Sequence, residues 1–393
     1  MKHKGIAGNH GERIRSDCQV ELEIRKDGGL EIQLHSKVER MFGKQIRTQC
    51  KRVLADLGVE HARVIINDSG ALPFVLAARL EAAVHQLKVG AGNHIPDLIP
   101  QNLYKSKPER SRFSRLYLPG NSPAMMLNAG IHHPDGIILD LEDSVAPERK
   151  PEARLLVRNA LCQVDFYGAE RMVRINQLPA GLEDLEYIVP NGLHLILIPK
   201  CESALQIQQV DEKSRELLKA SGQDREIYLM PIIESCLGVE NAFSMATASD
   251  RVVAMAIGLE DYTADLGVSR TEGGAESLYA RTRLVNACKA AGIQPIDSVY
   301  SDVGNMEGLL ENVKLSRSLG FEGMGCIHPR QVAVIHQGFA PTEAEIIKAK
   351  KIVAAFEEAK AKGQGVVALG TKMIDPPVIK RAMHTLELAK QFE

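Results

Sequence analysis

Carboxylates follow two β-type runs in the middle of the chain. Glu234 comes directly after residues 227–233 (IYLMPII), and Glu260 with Asp261 comes shortly after residues 252–257 (VVAMAI). The intervening SCLGVENAFSMATASD reads as a helix, so the unit is strand, helix, strand with acids at the carboxyl ends. Parallel α/β folds build their active sites at such ends. A hard ion such as magnesium suits the arrangement, because it takes one or two carboxylates and fills its other positions with water and substrate oxygens. The same acids have a second reading, as helix caps or as partners of nearby Arg251 and Arg270.

The elements that must position these acids appear once residue 112 is passed. Eight short β runs alternate with helical stretches: RLYL (115–118), GIILDLE (136–142), RMVRIN (171–176), LHLILIPK (193–200), IYLMPIIE (227–234), VVAMAIG (252–258), QPIDSVY (294–300) and FEGMGCIH (321–328). Eight β/α units over somewhat more than 200 residues predict a TIM (β/α)8 barrel, with a doubly wound sheet as the weaker alternative. In order, the strand ends offer PGN, DLED, Arg174 with Asn176, Lys200, Glu234, Glu260 with Asp261, Asp297 and His328. That clustering favours an active site at one mouth. His132, His133 and His328 show no metal-binding spacing and are read as structural.

Ahead of the barrel, residues 18–34 alternate strictly around the turn RKDGG, which predicts a β-hairpin. Apolar residues at helical spacing from Val38 to Leu57 predict a helix capped by Ser36 and stopped by Gly58. A strand over residues 63–66 and a helix over 73–87 complete a small α+β module, residues 1–88. Residues 89–112 are broken by Gly92, Pro96, Pro100 and Pro108 and read as a linker with little structure of its own. The barrel is assigned to residues 113–342. Residues 343–393 form a surplus tail: a charged helix, a β segment and a last helix from Pro376, expected to pack on a neighbouring subunit.

Composition narrows the classes. With 393 residues, 45% hydrophobic, 25% charged and a net charge of −2, the chain has a normal globular balance and no electrostatic case for nucleic acid or an anionic membrane. Tryptophan is absent, which weakens any base-stacking role. Seven scattered cysteines contain no CxxC pair, so they imply reduced core residues rather than a disulfide framework or zinc site. No apolar run reaches membrane-spanning length and the first residues lack a signal-peptide core, so the expected compartment is the cytoplasm.

The motifs LPGNSPAMM, GIILDLEDSVAP, RINQL, ILIPKCES, PIIES, GLEDYTADLG, GCIHPRQ and KMIDPPV, in that order, resemble the citrate lyase β subunit family over about residues 113–393. Separately, SDCQVELEI, GLEIQLHSKVERMFGKQIR and VIINDSGALPFVLAARLEAAV resemble the small acyl carrier subunit of citrate lyase over about residues 14–87. The chain therefore looks like a fusion of carrier and lyase. The resemblance implies magnesium-assisted retro-Claisen cleavage of a carrier-bound citryl thioester to oxaloacetate and acetyl thioester. By motif, Glu234 and Asp261 match metal ligands, and Arg174 matches the arginine that faces substrate oxygens. Asp375, in MIDPP, matches a carboxylate for proton transfer supplied by the adjacent subunit's tail; a helix N-cap is its other reading. Glu142 and Asp143 are expected to hold Arg174 or metal-bound waters.

Ser16 matches the serine that carries phosphoribosyl-dephospho-coenzyme A, although its alignment requires a one-residue shift. A mobile linker would let that carrier reach a barrel mouth. The family further implies a trimer-based homo-oligomer and a transferase α subunit as partner. Two rivals remain: a lyase for free malyl- or citramalyl-type coenzyme A esters, and a non-catalytic carrier scaffold.

Overall fold

A computed structural model describes residues 4–90, 92–361, 367–369 and 372–392. Eight strands form one parallel sheet: β5 (Ser114–Pro119), β6 (Gly136–Asp140), β7 (Glu170–Arg174), β8 (Leu195–Ile198), β9 (Tyr228–Ile233), β10 (Ala254–Ile257), β11 (Gln294–Ile296) and β12 (Met324–Cys326). Neighbours run in sequence from β5 to β11, with β12 beside β5, and a parallel bridge from Asp297 to Met324 joins the two edges. The sheet is thus the expected TIM barrel. Its strands are buried along both faces, as apolar runs such as GIILD and LILI require when helices cover the outside and side chains fill the inside. Ile138, Met172, Leu197, Met230, Ala256 and Ile296 pack together as the inner core.

The amino-terminal module forms a four-stranded sheet of β1 (Gly5–Gly8), β2 (Cys18–Ile24), β3 (Leu30–Ser36) and β4 (Ala62–Asp68), backed by α1 (Glu39–Asp56) and α2 (Pro73–Gln86). Here the hairpin expectation fails. The spatial order is β1-β2-β4-β3, so β4 inserts between the strands that RKDGG connects, antiparallel to β2 and parallel to β3. Strand β4 has the cleanest alternation, with Ala62, Val64 and Ile66 fully buried, and takes the central place where both edges bond. Ser36 does not cap α1 directly. Its hydroxyl bonds Asp68 Oδ2 and accepts the amide of Val38 at 3.1 Å.

Helix α2 is buried along its whole middle, from Phe74 to Val84. One side rests on the small sheet and the other on the barrel helix Lys150–Gln163. Two charged residues cross this second contact. Arg79 is held by both oxygens of Asp17 at 3.0 Å and lies 3.6 Å from Glu152, while Glu81 grips Arg158 through two bonds of 2.9 and 2.6 Å. All five side chains are almost wholly buried.

Residues 88–112 are mostly irregular, but they do not behave as the expected free linker. Ile99 bonds Cys162 O, Asn102 donates to Leu161 O and Val164 O, Tyr104 donates to Ala169 O, and Arg112 forks onto Glu170 at 2.7 and 2.8 Å. The segment is a strap laid along the barrel, tied down by the Ile99 amide and by the side chains of Asn102, Tyr104 and Arg112.

In the tail, helices Glu343–Ala361 and Pro376–Ala389 flank a two-stranded antiparallel ribbon, β13 (Val367–Leu369) and β14 (Lys372–Ile374). Ile352, Ile374 and Ile379 give it a small core of its own. The last helix returns to the amino-terminal face of the barrel, where Phe392 stacks 4.7 Å from Phe113 and Ser111 bonds Gln391. No helix among the described residues is long and apolar enough to cross a membrane.

Candidate active site

A cavity of about 460 Å³ opens at the carboxyl ends of the barrel strands. A larger one, about 910 Å³, lies at the opposite face between the barrel and the last helix, away from the row of strand-end acids. The strand-end acids therefore line the smaller cavity, which is the candidate site.

Arg174 ends β7, directly beside Asp140 at the end of β6. Its Nε and Nη2 fork onto Asp140 at 2.7 and 2.8 Å, and Nη1 lies 2.9 Å from Glu142 and 3.5 Å from Asp143. Burial alone would lower the guanidinium pKa, but Asp140 outweighs it and drives the value up, fixing the charge. Burial likewise opposes ionisation of Asp140, yet Arg174 holds its carboxyl below the usual range. Glu142 is different: burial raises its pKa, and the nearby Arg174 charge offsets that only in part. Gln177 donates to its other oxygen at 3.0 Å.

Glu234 follows β9 and is 7% exposed. Burial raises its carboxyl to about 7, with the charges of Glu142 and Asp261 acting the same way. It accepts the Lys200 backbone amide at 2.9 Å, and Lys200 holds a left-handed φ of 48° to present that amide. Gly258 makes the room, since a Cβ there would stand 2.5 Å from Glu234 Oε1. Asp261 lies in the first turn of the helix Leu259–Leu266, on the neighbouring strand's exit, with the Lys200 ammonium 3.3 Å away. Glu260, by contrast, pairs with Arg270 at 2.8 Å, as the bland reading of these acids anticipated. Arg251 pairs with Asp211 and touches none of them.

The donor set fits a hard cation. Glu234 and Asp261 would offer two oxygen ligands, the first accepting the Lys200 backbone amide and the second facing its ammonium, and the buried Glu234 is costly to ionise without a further positive charge. No cluster of three or more His, Cys, Asp or Glu ready to ligate exists among the described residues, so waters and substrate would have to supply the remaining positions.

Two sequence-named residues lie outside the cavity. Ser16 is half-buried with a φ of 55°, its amide bonded to Ser69 O. Its neighbour Asp17 binds Arg79, which also reaches Asn121 O at 3.3 Å, just past the mouth end of β5. Ser16 thus sits towards the mouth side of the carrier contact without lining the cavity. Asp375 is exposed and caps the last helix, accepting the Val378 amide at 3.3 Å. Among the described residues of one chain, no hydrogen bond or ion pair joins it to Arg174 or Glu234.

Sequence reasoning passed over Asp140, although DLED displayed it. Its place at the end of a predicted strand was visible, but its register opposite Arg174 was not. Arg115, whose buried side chain also lines the cavity, carried no motif at all.

Comparison with known proteins bears on both halves. Residues 114–329 match the model for HpcH/HpaI aldolase/citrate lyase, and residues 3–87 match a carrier model described as malonate decarboxylase delta subunit (MdcD). A citrate lyase subunit beta from Haemophilus influenzae is 43% identical over 282 residues, 71% of this chain and 97% of that one. The human mitochondrial citramalyl-CoA lyase is 33% identical, over 81% of this chain and 97% of its own length. Among solved structures, a citrate lyase beta subunit from M. tuberculosis complexed with oxaloacetate and magnesium aligns with a TM-score of 0.52 at 29% identity, over 60% of this chain and all of that one.

Proposed function

The chain belongs to the HpcH/HpaI aldolase/citrate lyase family, and from that premise we propose that it cleaves a citryl thioester, carried on its own amino-terminal domain, to oxaloacetate and an acetyl thioester. The observation that carries the reading is the buried Glu234 beside Asp261 at adjacent strand exits. These two residues hold magnesium. When bound, the ion polarises the tertiary hydroxyl and the adjacent carboxylate that become the keto acid.

The rest is done by the chain. The hydroxyl proton leaves, the carbon–carbon bond breaks, and its electron pair flows into the thioester as an enolate that takes up a proton on carbon. No oxidant or reductant is needed. Arg174, locked by Asp140, Glu142 and Asp143, keeps a fixed positive charge where the thioester oxygen becomes negative. Asp375 of a neighbouring copy, on the tail that returns to the far face of its own barrel, takes up the hydroxyl proton as a carboxylate and passes it to the enolate carbon, so the proton balance closes. A trimer-based homo-oligomer supplies that neighbour, and a transferase α subunit loads citrate. The seven free thiols suit a reducing compartment, the cytoplasm.

Ser16 bears the phosphoribosyl-dephospho-coenzyme A arm. Because the carrier is pinned to the barrel through Arg79 and Arg158, the arm moves and the domain stays. A second reading, cleavage of free citramalyl- or malyl-type coenzyme A esters, is favoured by the similarity to a citramalyl-CoA lyase. The intact strand-end acids speak against a scaffold without catalysis. Supplying magnesium with citryl-CoA, citramalyl-CoA or malyl-CoA, and identifying the keto acid released, decides between the two lyases.

A further inference from the structure

Arg115 is the second residue of β5 and points into the barrel below the mouth cavity, which it lines. The register explains how so long a side chain fits. Its partners on both flanking strands are glycines, Gly136 on β6 and Gly325 on β12. A Cβ at Gly136 would stand 2.5 Å from Met172 Cε and 3.5 Å from Arg115 Cγ, so the layer has space for one large residue only.

The residue is 1% exposed, its Nη1 rests 2.9 Å from Met230 Sδ, and its buried Nε has no hydrogen-bond partner. It takes part in no ion pair among the described residues. The carboxylate whose charge acts on it, Glu170, is already bound by Arg112. The other cations around the mouth are matched: Arg174 by three carboxylates, Lys200 by Asp261 and Arg270 by Glu260. A buried charge without a counter-ion is strongly unfavourable, and burial pulls the Arg115 pKa down accordingly. The missing anion belongs to whatever enters the cavity.

We infer that Arg115 forms a subsite for a second carboxylate of the substrate, so that the barrel prefers 3-hydroxyacyl thioesters with a carboxymethyl branch on the hydroxyl-bearing carbon over those with methyl or hydrogen there. The inference rests on the proposed lyase reaction and adds its substrate selection. A citryl thioester keeps two carboxylates. The one next to the hydroxyl goes with Glu234, Asp261 and their metal, and the other needs its own cation deep in the cavity. Citramalyl and malyl thioesters lack that second group and leave Arg115 unpaired. Tyr117, two residues after Arg115 on β5, lines the same cavity and has the Arg174 guanidinium 5.4 Å over its ring.

The test uses the full-length, magnesium-loaded protein and compares kcat/KM for citryl-CoA with that for citramalyl-CoA. Arg115→Met should lower the citryl-to-citramalyl ratio at least about 100-fold, because a site built to pair a polar group discriminates strongly through it. Arg115→Lys should recover part of the ratio, and it keeps the test alive if the methionine variant does not fold. Calorimetry should show oxaloacetate, but not pyruvate, binding more weakly to the variants. A ratio within about threefold of wild type in a folded variant, with wild type still cleaving citryl-CoA, overturns the subsite alone. Wild type releasing pyruvate from citramalyl-CoA but no oxaloacetate from citryl-CoA overturns the lyase reading and the subsite together.

Discussion

Glu234 is the residue on which burial and function pull in opposite directions. The folded protein raises its carboxyl to about 7 from an ordinary 4.5, mainly through burial. The metal-free native state therefore keeps a proton that the unfolded chain releases, and this contribution to stability fades as pH climbs from about 4.5 through 7. Magnesium needs the ionised form. Its affinity should weaken up to about tenfold per pH unit below 7, and calorimetry should show proton release on binding that Glu234→Gln abolishes. Glu234→Gln and Asp261→Asn should each cut turnover by roughly 100-fold or more while leaving the circular dichroism spectrum unchanged. These two acids were legible in the sequence because each follows a β-type run. Asp140 and Arg115 were not. Their roles depend on register, Asp140 opposite Arg174 and Arg115 between two glycines, and spacing along one strand does not reveal its neighbours.

At the level of elements, all eight barrel strands could be read from apolar runs, since strands buried on both faces leave an unmistakable composition. The carrier sheet could not be read the same way. Alternation in β2 and β3 fits a hairpin and fits two strands separated by a third, and only the long-range pairing of β4 decides between them. Helix α2 was legible as a helix but not as one buried on both sides with Arg79 and Glu81 inside, which shows only once the barrel helix Lys150–Gln163 is seen against it. That contact gives a stability prediction. Glu81→Ala strands Arg158 in the interior and should cost about 3–5 kcal/mol in denaturant unfolding, whereas Glu81→Met with Arg158→Met should recover most of the loss. Equal stability of the single and double variants would contradict a buried, mutually dependent pair.

On the scale of the whole molecule, carrier, strap and barrel are joined by buried contacts, so a prosthetic arm on the carrier would have to move while the domain stays. The amide of Ile99, bonded to Cys162 O across the strap, should exchange with solvent as slowly as barrel amides; the fast exchange of a free linker would restore the picture of a swinging domain. The proposed role of Asp375 in proton transfer requires more than one copy, because among the described residues Asp375 meets no mouth residue of its own chain. Hybrid oligomers of Asp375→Asn and Arg174→Ala chains should regain activity that neither variant has alone, through sites that combine an intact Arg174 with a neighbour's intact Asp375. In the sequence, the proposed shared site was signalled by the surplus length of the tail and by the match of MIDPP to a family carboxylate.

The central claim is a magnesium-dependent cleavage of citryl thioester at Glu234 and Asp261. It is tested most directly by mixing purified protein with citryl-CoA and magnesium and measuring oxaloacetate and acetyl-CoA as they appear. The account predicts equimolar release of both, abolished by chelation and reduced roughly 100-fold or more in Glu234→Gln. Release that persists undiminished without magnesium or in that variant, or no oxaloacetate at all from a folded, magnesium-loaded protein, would contradict it.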